Sequence, residues 1–406
     1  MTGAMQADRR RVSIFGATGS IGQSTLDLIA RAPSAYEVVA LTGGANVDRL
    51  AADAIRLKAG IAVTAYPERL HDLRARLAGS GVEAAAGEAA LLEAADRPAD
   101  WIMSAIVGAA GLPPGLRALR HGTVLALANK ESLVCAGPIL MAEAARHGAT
   151  ILPVDSEHSA VFQALRGEDI ATVEKVVITA SGGGLRDWSL ARLPHATPAE
   201  AGAHPNWDMG QRITIDSASM FNKAMELIET HEFFGLPPER IETIVHPQSL
   251  IHALVQFCDG AMMAHLGAPD MRHAIGHALH WPTRQDLPVA RLDLAEIARL
   301  DFAAPDPARY PALALAERVM ATGGLAGAAF NAAKEVALDL FIGGRLPFTE
   351  MAPLVERVLD RMAAEGCLEA QGPTLDMVLQ ADRLARDRAA DLAGTYETPR
   401  RAGQMP

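Results

Sequence analysis

Residues 16–22 read Gly-Ala-Thr-Gly-Ser-Ile-Gly, and this stretch decides the fold of the first third of the chain. Its glycines recur every three residues, after a short apolar run and before a helical stretch at residues 23–31. Glycine in such a turn lets the backbone approach a pyrophosphate and lets the helix pack on the strand. The helix N-terminus then offers unpaired N–H groups and a positive dipole end to phosphate. The stretch predicts a dinucleotide-binding loop, with a tight turn that binds no ligand as the alternative.

The residues around this loop alternate between short β-rich runs and alanine-rich helical stretches. Strands that alternate with helices predict a doubly wound parallel sheet. The predicted strands are residues 12–15, 37–41, 61–64, 101–107, 123–127, 149–154 and 175–179, with helices at 23–31 and 47–58 among them.

The pattern changes after the seventh strand. Residues 185–212 show no periodicity, and a loop of that length is usually functional. A helix is predicted at 218–234 with Asp216 or Ser217 as its N-cap, followed by an antiparallel meander of residues 241–245, 251–256 and 261–265. Amphipathic helices broken at Gly323-Gly324, Gly343-Gly344 and Gly372-Pro373 indicate a helical bundle.

The predicted fold class is therefore α/β with further domains. We expect a Rossmann-like dinucleotide-binding domain at 11–154 and an α+β catalytic domain at 155–282, in which residues 185–212 form a lid. A linker at 283–310 then leads to the helical bundle at 311–395.

Composition excludes several classes of protein. The 406 residues are 50% hydrophobic and 21% charged, enough to bury sizeable cores. A net charge of -11 and an aromatic content of 4% argue against binding to nucleic acid or to an anionic membrane.

The three cysteines (Cys135, Cys258 and Cys367) have no CxxC spacing, which favours a reducing compartment. No apolar run reaches the ~18 residues of a membrane span, and the polar start lacks a secretory signal, so we expect a cytoplasmic protein.

The end of the second strand bears on the choice of cofactor. NAD-binding folds usually place a carboxylate there, on the ribose 2′-hydroxyl. Here the strand runs into Thr42-Gly43-Gly44-Ala45-Asn46, which contains no carboxylate. This favours NADP over NAD, with Arg49 as a candidate partner of the 2′-phosphate.

Charged residues follow two of the predicted strands. Asn129, Lys130 and Glu131 come after the strand at 123–127, at the sheet edge where open α/β folds bind ligands. Asp155, Ser156 and Glu157 follow the next strand in the same way. In extended geometry Asp155 and Glu157 project to one side, where they can share a divalent cation. A solvated turn is the alternative.

Two further groups of polar residues lie later in the chain. Ser219, Asn222, Lys223 and Glu226 fall near one face of a helix, which is also compatible with an ordinary Lys–Glu pair. Ser181-Gly182-Gly183-Gly184 after a strand can form an anion-binding nest of N–H groups and a hydroxyl, or a flexible hinge. His273 and His277 have metal-ligand spacing but lack the glutamate of a zincin, and we expect them to be packing residues.

Together these segments resemble one family, the 1-deoxy-D-xylulose 5-phosphate reductoisomerases. The resemblance covers roughly residues 11–395 and rests on ordered motifs. These are GATGSIG, NKESLV, LPVDSEHSAVFQ, ASGGGLR, HPNWDMG, ITIDSASMFNKAMELIE, HPQSLIHALV and GAPDMRHAI. One departure is Ala45, where some members have lysine, and it affects how the 2′-phosphate would be held.

The resemblance implies a role for individual residues. It implies NADPH contacts by Thr18, Gly19, Ser20, Ile21, Gly44, Asn46, Asn129, Glu131 and Gly210. It implies binding of Mg²⁺ or Mn²⁺ by Asp155, Glu157 and Glu226, which with Lys130 form the catalytic set. It implies substrate contacts by Lys130, Ser156, Glu157 and Glu226, with Ser181, His204, Ser217, Asn222 and Lys223 at the substrate phosphate. Trp207 and Met209 match the lid.

The implied reaction converts 1-deoxy-D-xylulose 5-phosphate to 2-C-methyl-D-erythritol 4-phosphate in non-mevalonate isoprenoid synthesis. A carbon rearrangement at the metal would precede hydride transfer from NADPH, with Lys130 and Glu157 assisting proton movement. The resemblance also implies a homodimer, for which residues 241–256 are a plausible contact. The alternatives are a metal-independent homoserine or semialdehyde dehydrogenase type and a silent NADPH-sensing scaffold. The scaffold is disfavoured because Lys130 and the three carboxylates are present.

Overall fold

A computed structural model describes residues 9–204, 207 and 210–394. Within this range the chain forms two compact units, each built from several segments. The first unit contains the residues up to Ser132 together with Leu140–Phe162 and Asp270–Arg291. The second contains Leu133–Ile139, Gln163–Pro269 and the chain from Leu292 onward. The four domains expected from the sequence are contiguous ranges of residues, whereas each of these units combines several separate segments. The predicted domain boundaries therefore stay a prediction.

Strands and helices are numbered in chain order. The strands are β1 (Arg10–Phe15), β2 (Tyr36–Gly43), β3 (Ile61–Thr64), β4 (Glu83–Ala86), β5 (Trp101–Ser104), β6 (Val124–Leu127), β7 (Thr150–Pro153), β8 (Val173–Ala180), β9 (Ile241–Val245), β10 (Ile251–Phe257) and β11 (Met262–Leu266).

The helices are α1 (Ser20–Arg31), α2 (Val47–Leu57), α3 (Leu70–Leu77), α4 (Glu88–Asp96), α5 (Leu112–Leu119), α6 (Lys130–His147), α7 (Ser156–Ala164), α8 (Pro198–Ala201), α9 (Gln211–Ala218), α10 (Phe221–Phe234), α11 (Arg272–His280), α12 (Leu294–Ile297), α13 (Ala312–Thr322), α14 (Ala326–Ile342), α15 (Met351–Ala364) and α16 (Leu375–Ala393). None of the helices in the described part of the chain is long and apolar enough to cross a membrane.

The first unit contains a seven-stranded sheet in the order β4-β3-β2-β1-β5-β6-β7. Every pairing in it is parallel, so the predicted doubly wound α/β fold is confirmed. The edge strand β4 was not predicted, because its sequence Glu-Ala-Ala-Ala carries neither β-branched nor aromatic residues. The carboxyl ends of the strands therefore lie along one edge of this sheet.

A late segment completes the core of the first unit. Trp101 on β5 is fully buried, and its indole N–H donates to the carbonyl of Ala278 on α11 at 3.0 Å. The Tyr36 hydroxyl on β2 lies 3.1 Å from Nε2 of His280, also on α11. His277 is buried edge-on against Phe162, as expected for a packing histidine. Helix α11 is thus part of the hydrophobic core of this unit.

The second unit contains a four-stranded sheet in the order β11-β10-β8-β9. β10 is antiparallel to both β8 and β11, whereas β9 is parallel to β8. The expected meander is therefore wrong for β9. The physical reason is the crossover: parallel neighbours need a long connection, and α10 provides it before β9 begins.

The predicted start of the helix at 218–234 is also wrong. Asp216 and Ser217 belong to the preceding helix, α9, and the residue before α10 is Met220 in the left-handed region at φ 61°. The backbone bends between two helices at this residue. No single sequence pattern marks such a bend, because Met rarely adopts this conformation.

The described part of the predicted loop at 185–212 has structure of its own. It contains a 3-10 helix at Leu190–His195 and the short helix α8, whose capping box joins Thr197 and Glu200. After α12 and a stretch with little regular structure, α13 to α16 follow. They break at Gly323-Gly324, Gly343-Gly344 and Gly372-Pro373, as predicted.

Candidate active site

The glycine loop of the first unit is shaped by backbone contacts. Gly16 has φ 88°, and a methyl group on Gly22 would overlap the carbonyl oxygen of Gly16. These two glycines let α1 pack directly against the turn after β1. Gly19 and Ser20 are exposed, and Gly19 caps α1 without any side-chain hydrogen bond. The first N–H groups of α1 are thus left for an anionic ligand.

Thr18 and Ile21, the other predicted contacts in this loop, are half-buried beside it. At the end of β2 the Asn46 side chain caps α2 by accepting from the Arg49 N–H at 3.1 Å. The carbonyl of Gly44 accepts from the Thr64 hydroxyl at 2.9 Å. The tip of β2 is therefore held by local bonds, and Ala45 is exposed there.

Asn129 fixes the loop after β6. Its side-chain oxygen accepts from the backbone N–H of Ser132 and so caps α6. Its amide nitrogen donates to the carbonyls of Ile106 at 2.6 Å and Gly108 at 3.0 Å, and to the carboxylate of Glu131 at 2.7 Å. Asn129 is 3% exposed. It joins the ends of β5 and β6, which places Glu131 at the carboxyl edge of the sheet.

The two predicted carboxylates of the first unit flank a helix start. α7 begins at Ser156, so Asp155 precedes it and Glu157 lies in its first turn. The extended geometry expected for this pair is therefore wrong. The Ser156 hydroxyl donates to the Glu157 carboxylate at 2.5 Å.

Two basic side chains lie next to the Asp155 carboxylate. The Lys130 ammonium group contacts its carboxylate, and Nδ1 of His158 lies 3.4 Å from it. Burial alone would raise the pKa of Asp155, but Lys130 and His158 outweigh that effect and hold the pKa well below its usual range. His158 was not predicted, although its i+3 spacing from Asp155 at a helix start is a readable signal.

In the second unit, three of the four residues predicted for one helix face lie on α10, whereas Ser219 caps the C-terminus of α9. Glu226 is 1% exposed and Lys223 is 3% exposed. The Asn222 amide donates to one oxygen of Glu226 at 2.5 Å, and the Lys223 ammonium group contacts the other. A carboxylate this deeply buried requires such partners. The helical spacing read from the sequence thus produces a compact polar cluster.

The predicted nest at residues 181–184 has the backbone that such a site needs. Gly182 and Gly183 have φ values of 86° and 68°. A methyl group on Gly183 would overlap Ala218 at the end of α9, next to Ser217. The nest therefore lies directly against the helix end that carries another predicted phosphate ligand. A cavity of about 210 Å³ adjoins it, lined by Gly183, Gly184, Arg186, Asp187, Ala203 and His204.

The hydrogen bonds around Ser181 determine whether its hydroxyl group can donate to a ligand. Nδ1 of His204 accepts from the Trp207 N–H at 2.9 Å, so the neutral ring carries its hydrogen on Nε2. That nitrogen lies 2.8 Å from the Ser181 hydroxyl oxygen, which also accepts from the Gly183 N–H at 3.1 Å. With both lone pairs engaged, the Ser181 hydroxyl is left to donate its own hydrogen.

His204 is kept neutral by its surroundings. Burial lowers the pKa of its ring below the usual value, and the positive charge of Arg186 lowers it further. Gly210, another predicted cofactor contact, is exposed and caps α9. Met209 lies outside the described residues.

Comparison with known proteins identifies one family along the chain. A family model described as 1-deoxy-D-xylulose 5-phosphate reductoisomerase matches residues 12–137. Two models of the C-terminal parts of the same enzyme match residues 151–234 and 266–388.

Two curated relatives carry the same name. The chain from Jannaschia sp. (strain CCS1) is 73% identical over 383 residues, covering 94% of this chain and 98% of that relative. The chain from Ruegeria pomeroyi is 72% identical over 379 residues, covering 93% of this chain and 96% of that relative.

Solved structures agree with these relatives. The Zymomonas mobilis reductoisomerase in complex with NADPH has a TM-score of 0.90 at 46% identity, covering 96% of this chain and 100% of that chain. A DOX-P reductoisomerase in complex with NADPH, fosmidomycin and magnesium has a TM-score of 0.91 at 38% identity, covering 95% of this chain and 98% of that chain.

Proposed function

The chain belongs to the 1-deoxy-D-xylulose 5-phosphate reductoisomerase family, and we propose which of its residues perform that NADPH- and metal-dependent reaction. The product is 2-C-methyl-D-erythritol 4-phosphate, in non-mevalonate isoprenoid synthesis. The observation that carries the proposal is the polar cluster on α10, where a glutamate 1% exposed lies beside a lysine and an asparagine.

The NADPH site is assigned to the carboxyl edge of the parallel sheet. The pyrophosphate lies at the N-terminus of α1, where Gly19 and Ser20 are exposed and no side chain caps the helix. Further contacts come from Thr18, Ile21, Gly44, Asn46, Asn129, Glu131 and Gly210. Solved relatives with NADPH bound support this assignment.

The metal ligands are assigned to three carboxylates, those of Asp155, Glu157 and Glu226. A donor set of carboxylates without thiolate fits a hard cation such as Mg²⁺ or Mn²⁺. Asp155 and Glu226 each contact a lysine ammonium group, so these oxygens already face positive charge. When bound, the cation polarises the substrate carbonyl and stabilises negative charge that develops on its oxygen.

Lys130 and Glu157 are assigned to proton movement. The Lys130 ammonium group contacts Asp155, whose lowered pKa keeps that carboxylate charged and so favours the protonated lysine. Lys130 can therefore donate at Nζ to a substrate oxygen, while Glu157 accepts a proton at its carboxylate. Ser156, which donates to Glu157 at 2.5 Å, orients that carboxylate and contacts the substrate hydroxyls.

The substrate phosphate is assigned to the second unit. Ser181 offers its hydroxyl hydrogen because both of its lone pairs are engaged by His204 and Gly183. Lys223 supplies positive charge from α10, and Ser217 and Asn222 supply further donors from either side of the bend between α9 and α10. Phosphate binding far from the reacting carbons contributes to turnover as well as to affinity.

We also assign a lid, an assembly and a location. Residues 185–212, with Trp207 and Met209, close over the substrate and exclude water. The protein is a cytoplasmic homodimer. For the dimer contact β11 is better supported than residues 241–256, because β10 is an inner strand and the outer edge of β9 is bridged to Ala303 at Val245. β11 is an edge strand that exposes Met262 (51%), Met263 (42%) and Leu266 (37%).

The proposal is tested by following NADPH oxidation optically with 1-deoxy-D-xylulose 5-phosphate, with Mg²⁺ and with chelator. Glu226→Gln is expected to lower metal-dependent turnover on the order of 10²-fold or more, as loss of several kcal/mol of charge stabilisation requires. Its affinity for NADPH stays unchanged. The matched control is Glu232→Gln, the same change on the same helix outside the polar cluster. Burial raises the pKa of Glu232, so the uncharged amide is tolerated there better than at an exposed carboxylate. Near-normal turnover of Glu226→Gln would remove Glu226 from the metal site.

A further inference from the structure

Side chains hold the carbonyl groups of the segment that carries the glycine nest. Arg186 donates to the carbonyl of Ser181 at 2.7 Å, and the Tyr310 hydroxyl donates to that of Gly182 at 3.1 Å. Arg309 donates to the carbonyls of Leu185 at 3.1 Å and Trp188 at 2.6 Å. Two of these three side chains, those of Arg309 and Tyr310, lie more than 120 positions further along the chain, at the end of the predicted linker.

The bond from Tyr310 acts on Ser181 through one peptide plane. The carbonyl of Gly182 and the N–H of Gly183 belong to the same planar trans peptide and point in opposite directions. Tyr310 holds the carbonyl end of this peptide, and its N–H end donates to the Ser181 hydroxyl oxygen at 3.1 Å. The Tyr310 hydroxyl therefore determines the orientation of the donor that engages Ser181.

The ring of Tyr310 makes a second, independent contact. Tyr310 is 3% exposed and packs in a small apolar cluster with Ala180, Met220 and Val245. Met220 is the left-handed residue that separates α9 from α10. Ser217 precedes it and Asn222 and Lys223 follow it, so one tyrosine contacts both the segment of the nest and the helix bend that carries the other phosphate ligands.

We infer that Tyr310, assisted by Arg309, is a positioning residue for the substrate phosphate. It holds the Gly182–Gly183 peptide and the α9–α10 bend in the relative arrangement that an anion requires. This inference rests on the proposed assignment of the phosphate to Ser181, Ser217, Asn222 and Lys223. Tyr310 touches no substrate atom in this scheme and acts through Ser181 and the bend.

The test is Tyr310→Phe, which keeps the ring in its cluster and removes only the hydroxyl bond to Gly182. One hydrogen bond contributes about 0.5–1.5 kcal/mol, which corresponds to roughly a 2- to 10-fold change in binding. We expect KM for 1-deoxy-D-xylulose 5-phosphate and Ki for inorganic phosphate as a competitive inhibitor to rise by that factor. The Kd for NADPH, measured by fluorescence titration, stays at the wild-type value.

The matched control is Tyr36→Phe. Tyr36 is also buried, and its hydroxyl contacts His280 in the first unit. Both variants lose one hydroxyl, so they are expected to lose similar stability, but only Tyr310→Phe raises Ki for phosphate. Equal Ki values in the two variants, or a loss of NADPH affinity in Tyr310→Phe matching its loss for phosphate, would overturn the positioning role.

A third variant separates this inference from the assignment beneath it. Lys223→Gln removes a proposed phosphate ligand, and its Ki for phosphate is expected to rise more than that of Tyr310→Phe. An unchanged Ki in Lys223→Gln means that the phosphate site itself is wrongly assigned. A raised Ki in Lys223→Gln with an unchanged Ki in Tyr310→Phe means that only the role of Tyr310 fails.

Discussion

The two glycine loops of this protein differ in what holds them. In the dinucleotide loop the contacts come from the loop, the adjacent strand and α1. Gly19 donates to the Gly16 carbonyl at 3.1 Å, Ala17 donates to the Thr42 carbonyl at 2.7 Å, and the Gln23 amide donates to the Ala17 carbonyl at 2.9 Å. In the nest at residues 181–184, side chains of Arg186, Arg309 and Tyr310 hold the segment. The first loop is held by β2 and by the start of α1, whereas the second also needs Arg309 and Tyr310, which lie more than 120 residues further along the chain.

This difference sets what each loop tolerates. The dinucleotide loop fails when an added atom separates α1 from β1, and the failure affects the cofactor. A loop held by side chains fails when its own conformation or a distant donor changes, and the failure affects the phosphate. Substitutions in the two loops should therefore change different binding constants.

The largest effect is expected for Gly183→Ala in the nest. Gly183 has φ 68°, and an added methyl group would overlap the backbone of Ala218. The left-handed conformation costs about 1–2 kcal/mol for alanine, and the overlap adds about 1–3 kcal/mol. Urea unfolding should show a total loss of about 2–5 kcal/mol. KM for the substrate should rise while the Kd for NADPH stays unchanged.

Gly235→Ala is the control for that variant. Gly235 has φ 65°, but an added methyl group would meet no atom within 4 Å. It therefore carries only the conformational cost, about 1–2 kcal/mol. If the two variants lost equal stability, the close approach of the nest to α9 would not constrain the fold.

A somewhat smaller effect is expected for Gly22→Ala in the dinucleotide loop. The methyl group would overlap the backbone of Gly16 and Ala17 and push α1 away from β1. We expect a loss of about 3 kcal/mol in urea unfolding and a Kd for NADPH raised at least about 10-fold, with Ki for phosphate unchanged. Gly19→Ala, whose methyl group would lie 3.5 Å from the Gly16 carbonyl oxygen, should unfold like the wild type. Equal stability of Gly22→Ala and Gly19→Ala would contradict the packing role of Gly22.

The smallest effect concerns the electrostatics of the nest. Burial and Arg186 both lower the pKa of His204, so stability linked to this ring is fully present above its ordinary pKa of about 6.5. That stability is lost as the pH falls from there to the lowered pKa of the folded protein. Arg186→Gln removes the positive charge, so the pKa of His204 should move back toward its ordinary value. NMR titration of the imidazole measures this, and an unchanged or lower pKa would show that burial alone sets it.

Much of the fold could be predicted because its signals are local. The strand β3 at Ile61–Thr64 was predicted at its observed bounds, and the glycine pairs mark the breaks between the C-terminal helices. β9 was placed wrongly because its partner is set by the crossover through α10 and by no pattern in its own sequence. The bend at Met220 was missed because methionine disfavours the left-handed conformation, and the apolar cluster in which Met220 packs includes Tyr310, 90 residues further along the chain.

The candidate site also contains residues that local sequence patterns predict and residues that they do not. The spacing of Asn222, Lys223 and Glu226 predicts their shared helix face, and the structure brings them together there. Arg309 and Tyr310 are the last residues of the predicted linker, an aperiodic stretch rich in Pro and Asp in which nothing in the local sequence marks them. Their importance depends on contacts with carbonyl groups more than 120 residues earlier. Only a three-dimensional arrangement contains that information.

The segment Asp270–Arg291 belongs to the first unit although it lies late in the chain, and this has a consequence during protein synthesis. A ribosome releases residues from the N-terminus onward, and domains generally begin to fold as they emerge. The buried indole of Trp101 has its acceptor on α11, at Ala278, and the segment Asp270–Arg291 belongs to the same unit. The nascent parallel sheet must therefore wait, with part of its core uncovered, until about two thirds of the polypeptide has left the exit tunnel. The time that the ribosome takes to translate from β5 to α11 therefore sets how long this uncovered apolar surface is exposed to chaperones.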